Sequence, residues 1–206
     1  MNKNRLLIIG MFLLFFAANC TPGKGAGAAS QTDVATPSGV RYLKNNIHVQ
    51  LRYSRRGKPV YNASYANYTD PGEGHMVISY NTPVTWSFRS GIKGKFIMIV
   101  DKTDGKTIQF LFHAGRMRMA GEEYMNLITS PAKISLKGLS RLDRQGIKEG
   151  RPYVGMSKEG IRIALGYPAA HKTPSLDSYR WTYWTNRFRS IMIEFDNSGR
   201  VISIRR

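Results

Sequence analysis

Residues 155–168 read GMSKEGIRIALGYP, and this stretch predicts a short helix with a defined start and end. Ser157 is a good N-cap, because its hydroxyl can accept from the backbone N–H groups of the first turn, which have no partner inside the helix. Three apolar residues recur at spacings of three and four and give the helix one apolar face: Ile161, Ala164 and Leu165. Gly166 can adopt the left-handed conformation that ends helices, and Pro168 prevents any continuation.

Three strand-like runs follow this helix and predict an antiparallel sheet on which it packs. They are rich in aromatic and β-branched residues and lie at 179–184, 190–195 and 201–204. The last two are joined by DNSGR at 196–200, in which Gly199 can supply the positive φ of a hairpin turn. Residues 150–206 are therefore expected to form one helix on a three-stranded meander.

These motifs resemble the SmpA/OmlA, or BamE-like, domain of small outer-membrane lipoproteins. The resemblance covers residues 150–206 and rests on the helix above, a Trp-x-Tyr strand at 181–183 and an I-x-F-D-x-x-G-x-V run at 193–201. It implies a small α/β fold and a non-catalytic binding or assembly role, since the best-known member is an accessory subunit of the β-barrel assembly machinery. The family usually has a further helix before the Gly-Met turn, and LDRQGI at 142–147 is a poor, Gly-interrupted match to it.

Residues 41–137 predict a β-rich module with the character of a partly open barrel, so that the fold class of the chain is α+β. Apolar and β-forming residues recur in short runs, as in half-buried strands: 47–53, 76–80, 84–88, 96–100 and 107–112. The last two flank an Asp-Gly turn, which predicts a hairpin. Residues 119–128 predict a short helix. The polar, Gly-punctuated residues 138–149 are expected to be a linker.

The first 40 residues predict export and a lipid anchor. Two basic residues precede an apolar run at 6–18, which is shorter than the roughly 20 residues of a membrane span and is typical of a secretory signal peptide over residues 1–19. Cys20, the only cysteine, follows small residues as in the lipobox of bacterial lipoproteins, where the thiol is diacylated. Residues 20–40, rich in Gly, Ala, Ser and Thr, are expected to be a flexible tether.

This resemblance implies attachment to the outer membrane through Cys20, on its periplasmic side, because Thr21 rather than Asp follows the cysteine. Asn19, at the cleavage position, departs from the usual lipobox residues. The alternative is ordinary secretion with cleavage after an Ala-x-Ala such as 26–28, which would yield a soluble binding protein.

The net charge of the chain indicates which class of molecule it binds. The formal net charge is +18 at pH 7, and loss of residues 1–19 would remove two basic residues and no acidic one, which leaves +16. So large an excess predicts attraction to polyanions. The export signal and the lack of a nucleic-acid-binding motif exclude nucleic acid, so the expected partner is an envelope protein, an anionic lipid or an anionic polysaccharide.

Candidate binding residues cluster in the aromatic strand and the segment after it. They could form a cationic-aromatic contact face, in which Trp and Arg are common: Arg180, Trp184, Arg187 and Arg189. Trp181 and Tyr183 alternate with them and are expected in the core.

No catalytic residue, metal site or cofactor is predicted. The four histidines are far apart in the sequence and lack ligand spacing: His48, His75, His113 and His171. No common nucleophile motif is present. The alternative is an exported enzyme acting on a cell-wall or polyanionic substrate, with His113 or His171 as acid or base.

Overall fold

The computed structural model describes residues 39–91 and 94–206, which form an eight-stranded sheet, a separate three-stranded sheet and four helices. The predicted signal peptide, Cys20 and nearly all of the predicted tether lie outside these residues. Within the described residues, no helix combines the length and the apolar character needed to cross a membrane.

The first sheet curls into a half-barrel, which confirms the predicted β-rich, partly open architecture. Its strands are β1 Arg41–Leu43, β2 Ile47–Tyr53, β3 Pro59–Ser64, β4 His75–Ile78, β5 Pro83–Gly91, β6 Gly94–Asp101, β7 Thr107–Phe112 and β8 Thr129–Ser130. Their order across the sheet is β4-β2-β3-β7-β6-β5-β1-β8. Sequence patterning predicted β2 and β4 to β7 but not the short β1 and β8, nor β3.

One strand pair in this sheet is parallel. β3 runs alongside β7 in register from Tyr61 opposite Ile108 to Ser64 opposite Leu111. The ladder continues into the next residue, where the Tyr65 N–H donates to the Leu111 carbonyl at 2.8 Å. Because both strands run the same way, the segments after β3 and after β7 leave the sheet at the same edge.

Two helices follow β7: α1, Ala114–Met117, and α2, Gly121–Ile128. The second confirms the helix expected at 119–128. It buries Tyr124, Met125 and Ile128 against the half-barrel, where Tyr124 lies 5.4 Å from Phe110 between ring centroids. These apolar contacts fix α2 on the concave core of the first sheet.

Helix α3, Arg141–Glu149, occupies the segment for which the sequence predicted a linker. It begins with a capping box: the Ser140 hydroxyl accepts from the Asp143 N–H, and the Asp143 carboxylate accepts from the Ser140 N–H, both at 3.0 Å. Gly146 does not interrupt it. A Cβ there would lie 2.4 Å from the Met156 sulfur, so this glycine permits close packing.

Helix α4, Lys158–Leu165, is the helix predicted from residues 155–168. The Ser157 hydroxyl accepts from the Gly160 N–H at 3.0 Å, as an N-cap does. The Asp143 carboxylate also accepts from the Ser157 N–H at 2.7 Å and so joins the start of α4 to α3. Gly166 ends the helix at a φ of 79° and a ψ of −169°, which is a positive φ but not the left-handed helical conformation that the sequence suggested.

The second sheet packs on α4 and has the order β11-β10-β9, with antiparallel pairing throughout. Its strands are β9 Arg180–Trp184, β10 Ser190–Phe195 and β11 Val201–Arg205. Trp181 and Tyr183 are 2% and 1% exposed and belong to the core between the sheet and α4, as predicted. The predicted helix and three-stranded meander are therefore both present.

Two asparagine side chains in the region of the eight-stranded sheet donate hydrogen bonds to backbone carbonyls in and after helices α3 and α4. The Asn46 amide, 2% exposed, donates to the carbonyls of Ile147 in α3 at 2.7 Å and Ala164 in α4 at 3.3 Å. The Asn67 amide donates to the Tyr167 carbonyl. These bonds fix the orientation of α3 and α4 relative to the first sheet, because hydrogen bonds are directional and a buried amide is costly to leave without a partner.

Candidate functional site

The predicted binding residue Arg180 lies on the outer face of the three-stranded sheet, where it is paired with a carboxylate. Its Nε is 3.1 Å from Glu194 Oε1, and Arg205 Nη2 is 3.0 Å from Glu194 Oε2. Arg180 and Glu194 are opposite one another in the β9–β10 register. Arg180 therefore shares one carboxylate with Arg205 and stands at the end of β9 away from the β9–β10 loop.

Trp184 is half-buried and packs against the core of the first sheet. Its carbonyl accepts from the Thr69 N–H at 3.0 Å, and the next carbonyl, of Thr185, accepts from the Asp70 N–H at 3.0 Å. These contacts attach the end of β9 to the segment after β3. Trp184 thus connects the two sheets and contributes little to an exposed binding face.

The β9–β10 loop, Thr185 to Arg189, carries the other two predicted binding residues. The Asn186 side-chain oxygen accepts from the N–H groups of Phe188 at 2.9 Å and Arg189 at 3.1 Å, and the Thr185 N–H donates to the Arg189 carbonyl at 2.9 Å. These bonds close the loop on itself. It presents Phe188, 84% exposed, between Arg187 and Arg189.

The two loop arginines are available to an external partner. The Arg187 guanidinium carbon lies 5.6 Å from the centre of the Phe188 ring, within cation–π range. Within the described part of the chain, no ion pair uses Arg187 or Arg189. Phe188 was not singled out from the sequence, because a lone aromatic in a polar loop gives no periodic signal.

A second group of side chains surrounds Tyr65, directly after β3. The rings of His113 and His171 lie 5.8 Å and 6.5 Å from the Tyr65 ring, between centroids, and Arg116 lies 5.8 Å from its centre. We call Tyr65, His113, Arg116 and His171 the Tyr65 cluster. Two histidines that are far apart in the sequence thus meet on one surface.

Three hydrogen bonds order the Tyr65 cluster. Arg116 Nη1 donates to the Tyr65 hydroxyl. The Arg116 N–H donates to His113 Nδ1 at 3.3 Å, where His113 caps α1. The His171 N–H donates to the Arg116 carbonyl at 2.9 Å. Segments after β3, β7 and α4 are therefore held together by contacts that all involve Arg116 or Tyr65.

Positive charge dominates around the cluster. Burial lowers the pKa of His171, and the charges of Arg116 and Lys172 lower it further. Burial and then Tyr65 raise the pKa of Tyr68, while Arg187 and Arg116 oppose that rise. The hydrogen bonds from the Thr69 N–H to the Trp184 carbonyl and from the Asp70 N–H to the Thr185 carbonyl attach the start of the β9–β10 loop to the segment that follows Tyr65.

The other two histidines form a pair of a buried ring, His48, and a half-buried ring, His75. His48 Nε2 lies 3.0 Å from the Ala164 carbonyl and His48 Nδ1 lies 3.0 Å from His75 Nε2. Because a carbonyl can only accept, His48 donates through Nε2 and its Nδ1 accepts from His75. Burial lowers the pKa of His48 to about 4, with a smaller contribution from His75. His48 is thus held neutral and serves as a structural bridge.

A surface depression of about 380 Å³ lies over β2, next to His75. It is lined by Gln50, Leu51, Arg52, Tyr53, Glu73 and Gly74. Its polar side chains already bond within the protein: Arg52 donates to Gln50 Oε1 at 2.9 Å, and Gln50 donates to the Glu73 carbonyl at 3.0 Å.

Within residues 39–91 and 94–206, no group of three His, Cys, Asp or Glu side chains is placed to hold a metal ion. The free groups of the loop and the Tyr65 cluster are instead donors and cations. Sequence reasoning missed this assembly because it depends on the parallel β3–β7 pairing, and neither β3 nor that pairing leaves a local signal.

Comparison with models of known protein families, with curated proteins and with solved structures finds no match to this chain. The resemblance of residues 150–206 to the BamE-like domain therefore stays a prediction.

Proposed function

We propose that this protein is a non-catalytic cell-envelope lipoprotein that binds an anionic envelope component. In this proposal Cys20 anchors it to the periplasmic side of the outer membrane, and a BamE-like domain at 150–206 forms part of a binding or scaffold module. The observation that carries the proposal is the β9–β10 loop, which holds an 84% exposed Phe188 between two arginines.

The form of this loop favours binding over a merely solvated turn. Its backbone is closed by the Asn186 and Thr185 hydrogen bonds, so little loop entropy remains to be lost when a partner binds. Full burial of a Phe side chain contributes about 1.5–3 kcal/mol. Arg187 and Arg189 supply charge that attracts polyanions in a salt-dependent way, since exposed charges are screened over about 10 Å at 0.1 M salt.

The lipid anchor at Cys20 is tested by cell fractionation and by the intact mass of the mature protein. Replacement Cys20→Ser is expected to move the protein from the membrane fraction to the soluble periplasmic fraction. The intact mass of the wild-type protein should show acyl groups on a chain that begins at Cys20. Unchanged membrane retention of the variant, or a mature chain that begins after residue 28, would contradict the lipoprotein assignment.

The binding loop is tested with a charge-matched control. In a Cys20→Ser background, the double variant Arg187→Gln/Arg189→Gln is compared with Arg55→Gln/Arg56→Gln, which removes two exposed arginines from another turn. Flotation with vesicles of phosphatidylglycerol and phosphatidylcholine is compared with phosphatidylcholine alone. We expect the loop variant to lose binding to the anionic vesicles and the control to keep it. Equal losses would mean that net charge alone acts, and the loop would then not be the site.

A second candidate is the exported enzyme, and one observation favours it: His113 and His171 both lie against Tyr65, where one could act as acid and the other as base. The double variant His113→Ala/His171→Ala should then abolish hydrolysis of a cell-wall or polyanionic substrate. Full retention of a detected activity would remove this candidate.

A further inference from the structure

We propose that the Tyr65 cluster is a binding site for a phosphoryl group carried by an anionic ligand. This inference deepens the proposed function, on which it rests only for the anionic nature of the ligand. The site lies on segments of the half-barrel and on the residues after α4, beside the β9–β10 loop rather than within it.

The first donors come from Arg116 and Tyr65. A guanidinium has five N–H groups and no acceptor, so in the Arg116–Tyr65 bond the tyrosine oxygen must accept. The hydroxyl proton of Tyr65 is then free to donate elsewhere. Within the described residues, no ion pair neutralises Arg116. Its planar fork suits two oxygens of one phosphoryl group better than a single acceptor.

The two histidines supply further donors, and their surroundings fix which nitrogen is available. His113 Nδ1 accepts from the Arg116 N–H, so the proton of the neutral ring is on Nε2 of an exposed side chain. His171 Nδ1 is buried without a hydrogen-bond partner among the described residues. The hydrogen bonds of the described chain include none from the His171 ring, so its Nε2 is the nitrogen left for a ligand, and it donates when it carries the ring proton.

The charges around the cluster select for an anion. Arg116 belongs to the cluster, the exposed Lys172 directly follows His171, and the ion pairs of the described residues include neither of them. A cation would meet only donors here, whereas a phosphoryl group can accept from several of them and gains from each positive charge.

The fold brings side chains from distant parts of the sequence together in the cluster. Tyr65 and His113 follow two parallel strands, β3 and β7, at the edge where both strands end. Two sources can supply the same phosphoryl chemistry, a phospholipid headgroup or a free phosphate. If the source is a lipid, we expect its apolar part to contact Phe188, because the β9–β10 loop is attached to the segment after Tyr65.

The test is an NMR titration of the full chain in nonionic detergent with inorganic phosphate. The ring Cε1–H signals of His113 and His171 are followed at several pH values. We expect saturable shifts of both signals and a rise in the pKa of His171 when phosphate is bound, because the bound anion offsets the positive charge that lowers it. Absence of saturable shifts at these two rings would overturn the proposal.

Matched variants make the titration specific. Arg116→Gln should weaken phosphate binding about tenfold or more, as loss of a charged hydrogen bond does. Arg118→Asn removes an equal charge two residues away and should leave affinity unchanged, since Asn tolerates the left-handed conformation of residue 118 (φ 56°). Arg116→Lys keeps the charge and should bind with intermediate affinity, which separates loss of binding from loss of folding. Equal weakening by Arg116→Gln and Arg118→Asn would contradict a built site.

A further arm distinguishes the ligand sources and separates this inference from the proposed function. Short-chain phosphatidylglycerol below its micelle concentration is titrated in place of phosphate. If the ligand is a phospholipid, phosphatidylglycerol should bind more tightly than phosphate, and the variant Phe188→Ser should lose this difference in affinity. If the ligand is free phosphate, phosphatidylglycerol should bind no more tightly than phosphate, and Phe188→Ser should have no effect on either affinity. If phosphate does not bind but the protein still binds anionic vesicles, the Tyr65 cluster is not a phosphoryl site and the proposed function stands. If phosphate binds but the loop variant binds anionic vesicles as the wild type does, the loop is not the binding site.

Discussion

Acid should destabilise this protein through His48 in particular. The ring is 4% exposed, donates to the Ala164 carbonyl and accepts from His75, so a second proton would have to replace an accepted hydrogen bond inside the molecule. Protonation of His48 therefore works against the contact between β2 and the end of α4. We expect unfolding, which exposes the ring, to become easier as the pH falls.

The sign and size of the change in unfolding free energy with pH follow from the shift in the pKa of His48. Burial lowers the folded-state pKa of His48 to about 4 from an ordinary 6.5. Between those values the unfolded chain binds more protons than the folded one, so the free energy of unfolding falls as the pH falls. The loss begins near pH 6.5 and reaches about 3 kcal/mol at pH 4, at 1.36 kcal/mol for each pKa unit. Burial also lowers the pKa of His75 and His171, which adds to the loss in the same direction.

The assay is urea unfolding of the wild type and of His48→Gln across this pH range. Gln keeps a donor for the Ala164 carbonyl and does not titrate, so any constant cost of the substitution cancels in the pH dependence. The variant should lose about 3 kcal/mol less than the wild type between neutral pH and pH 4. His113→Gln, which alters an exposed ring, is the control and should follow the wild type. Parallel curves for wild type and His48→Gln would refute this account of His48.

Two further changes test the packing of α3 on α4. Gly160→Ala should cost about 1–3 kcal/mol of unfolding free energy, because the new Cβ would lie 2.3 Å from Asp143 Oδ1. Gly39→Ala, with nothing within 4 Å of the new atom, should be near neutral in the same urea titration. Asp143→Ala should cost about 2–3 kcal/mol by leaving the N–H groups of Ser140 and Ser157 without an acceptor. Wild-type stability in either variant would show that this carboxylate does not join the two helices.

The C-terminal half was predictable because its signals are local. The Ser157 cap, the apolar spacing of α4 and the Gly199 turn lie within a few residues of the elements that they define. The alternation along β9 also placed Trp181 in the core. None of these inferences required knowledge of a distant part of the chain.

Helix α3 was predicted to be a linker because of Gly146, and the contacts that make a glycine suitable there are not local. Gly146 lowers the helix propensity of its segment, and the sequence does not show that Met156 and the Arg151 carbonyl lie against it. The Ser140–Asp143 capping box was a local signal for the helix, since Ser and a carboxylate three residues later are a recognised start pattern. Giving that pattern more weight than the glycine would have predicted α3.

The Tyr65 cluster could not be predicted for a different reason. Its members lie near residues 65, 113–116 and 171, and they meet because β3 pairs with β7 across the sequence of β4 to β6. Parallel pairing requires a long connection and gives no turn signal. The individual histidines were visible as candidates, but their proximity was not.

The β3–β7 pairing has a consequence for the order in which the chain folds. β2 pairs with β3 and β4, and β5, β6 and β7 form a meander, so both groups of strands can form from antiparallel contacts close in sequence. Among the strand pairs of residues 39–91 and 94–206, the parallel β3–β7 pair alone joins these two groups. It is expected to form last, because contacts distant in sequence form at a higher entropic cost. The Tyr65 cluster spans that last junction. A ligand bound there would recognise only chains that have completed the sheet and would raise their free energy of unfolding, as any ligand specific for the native state does.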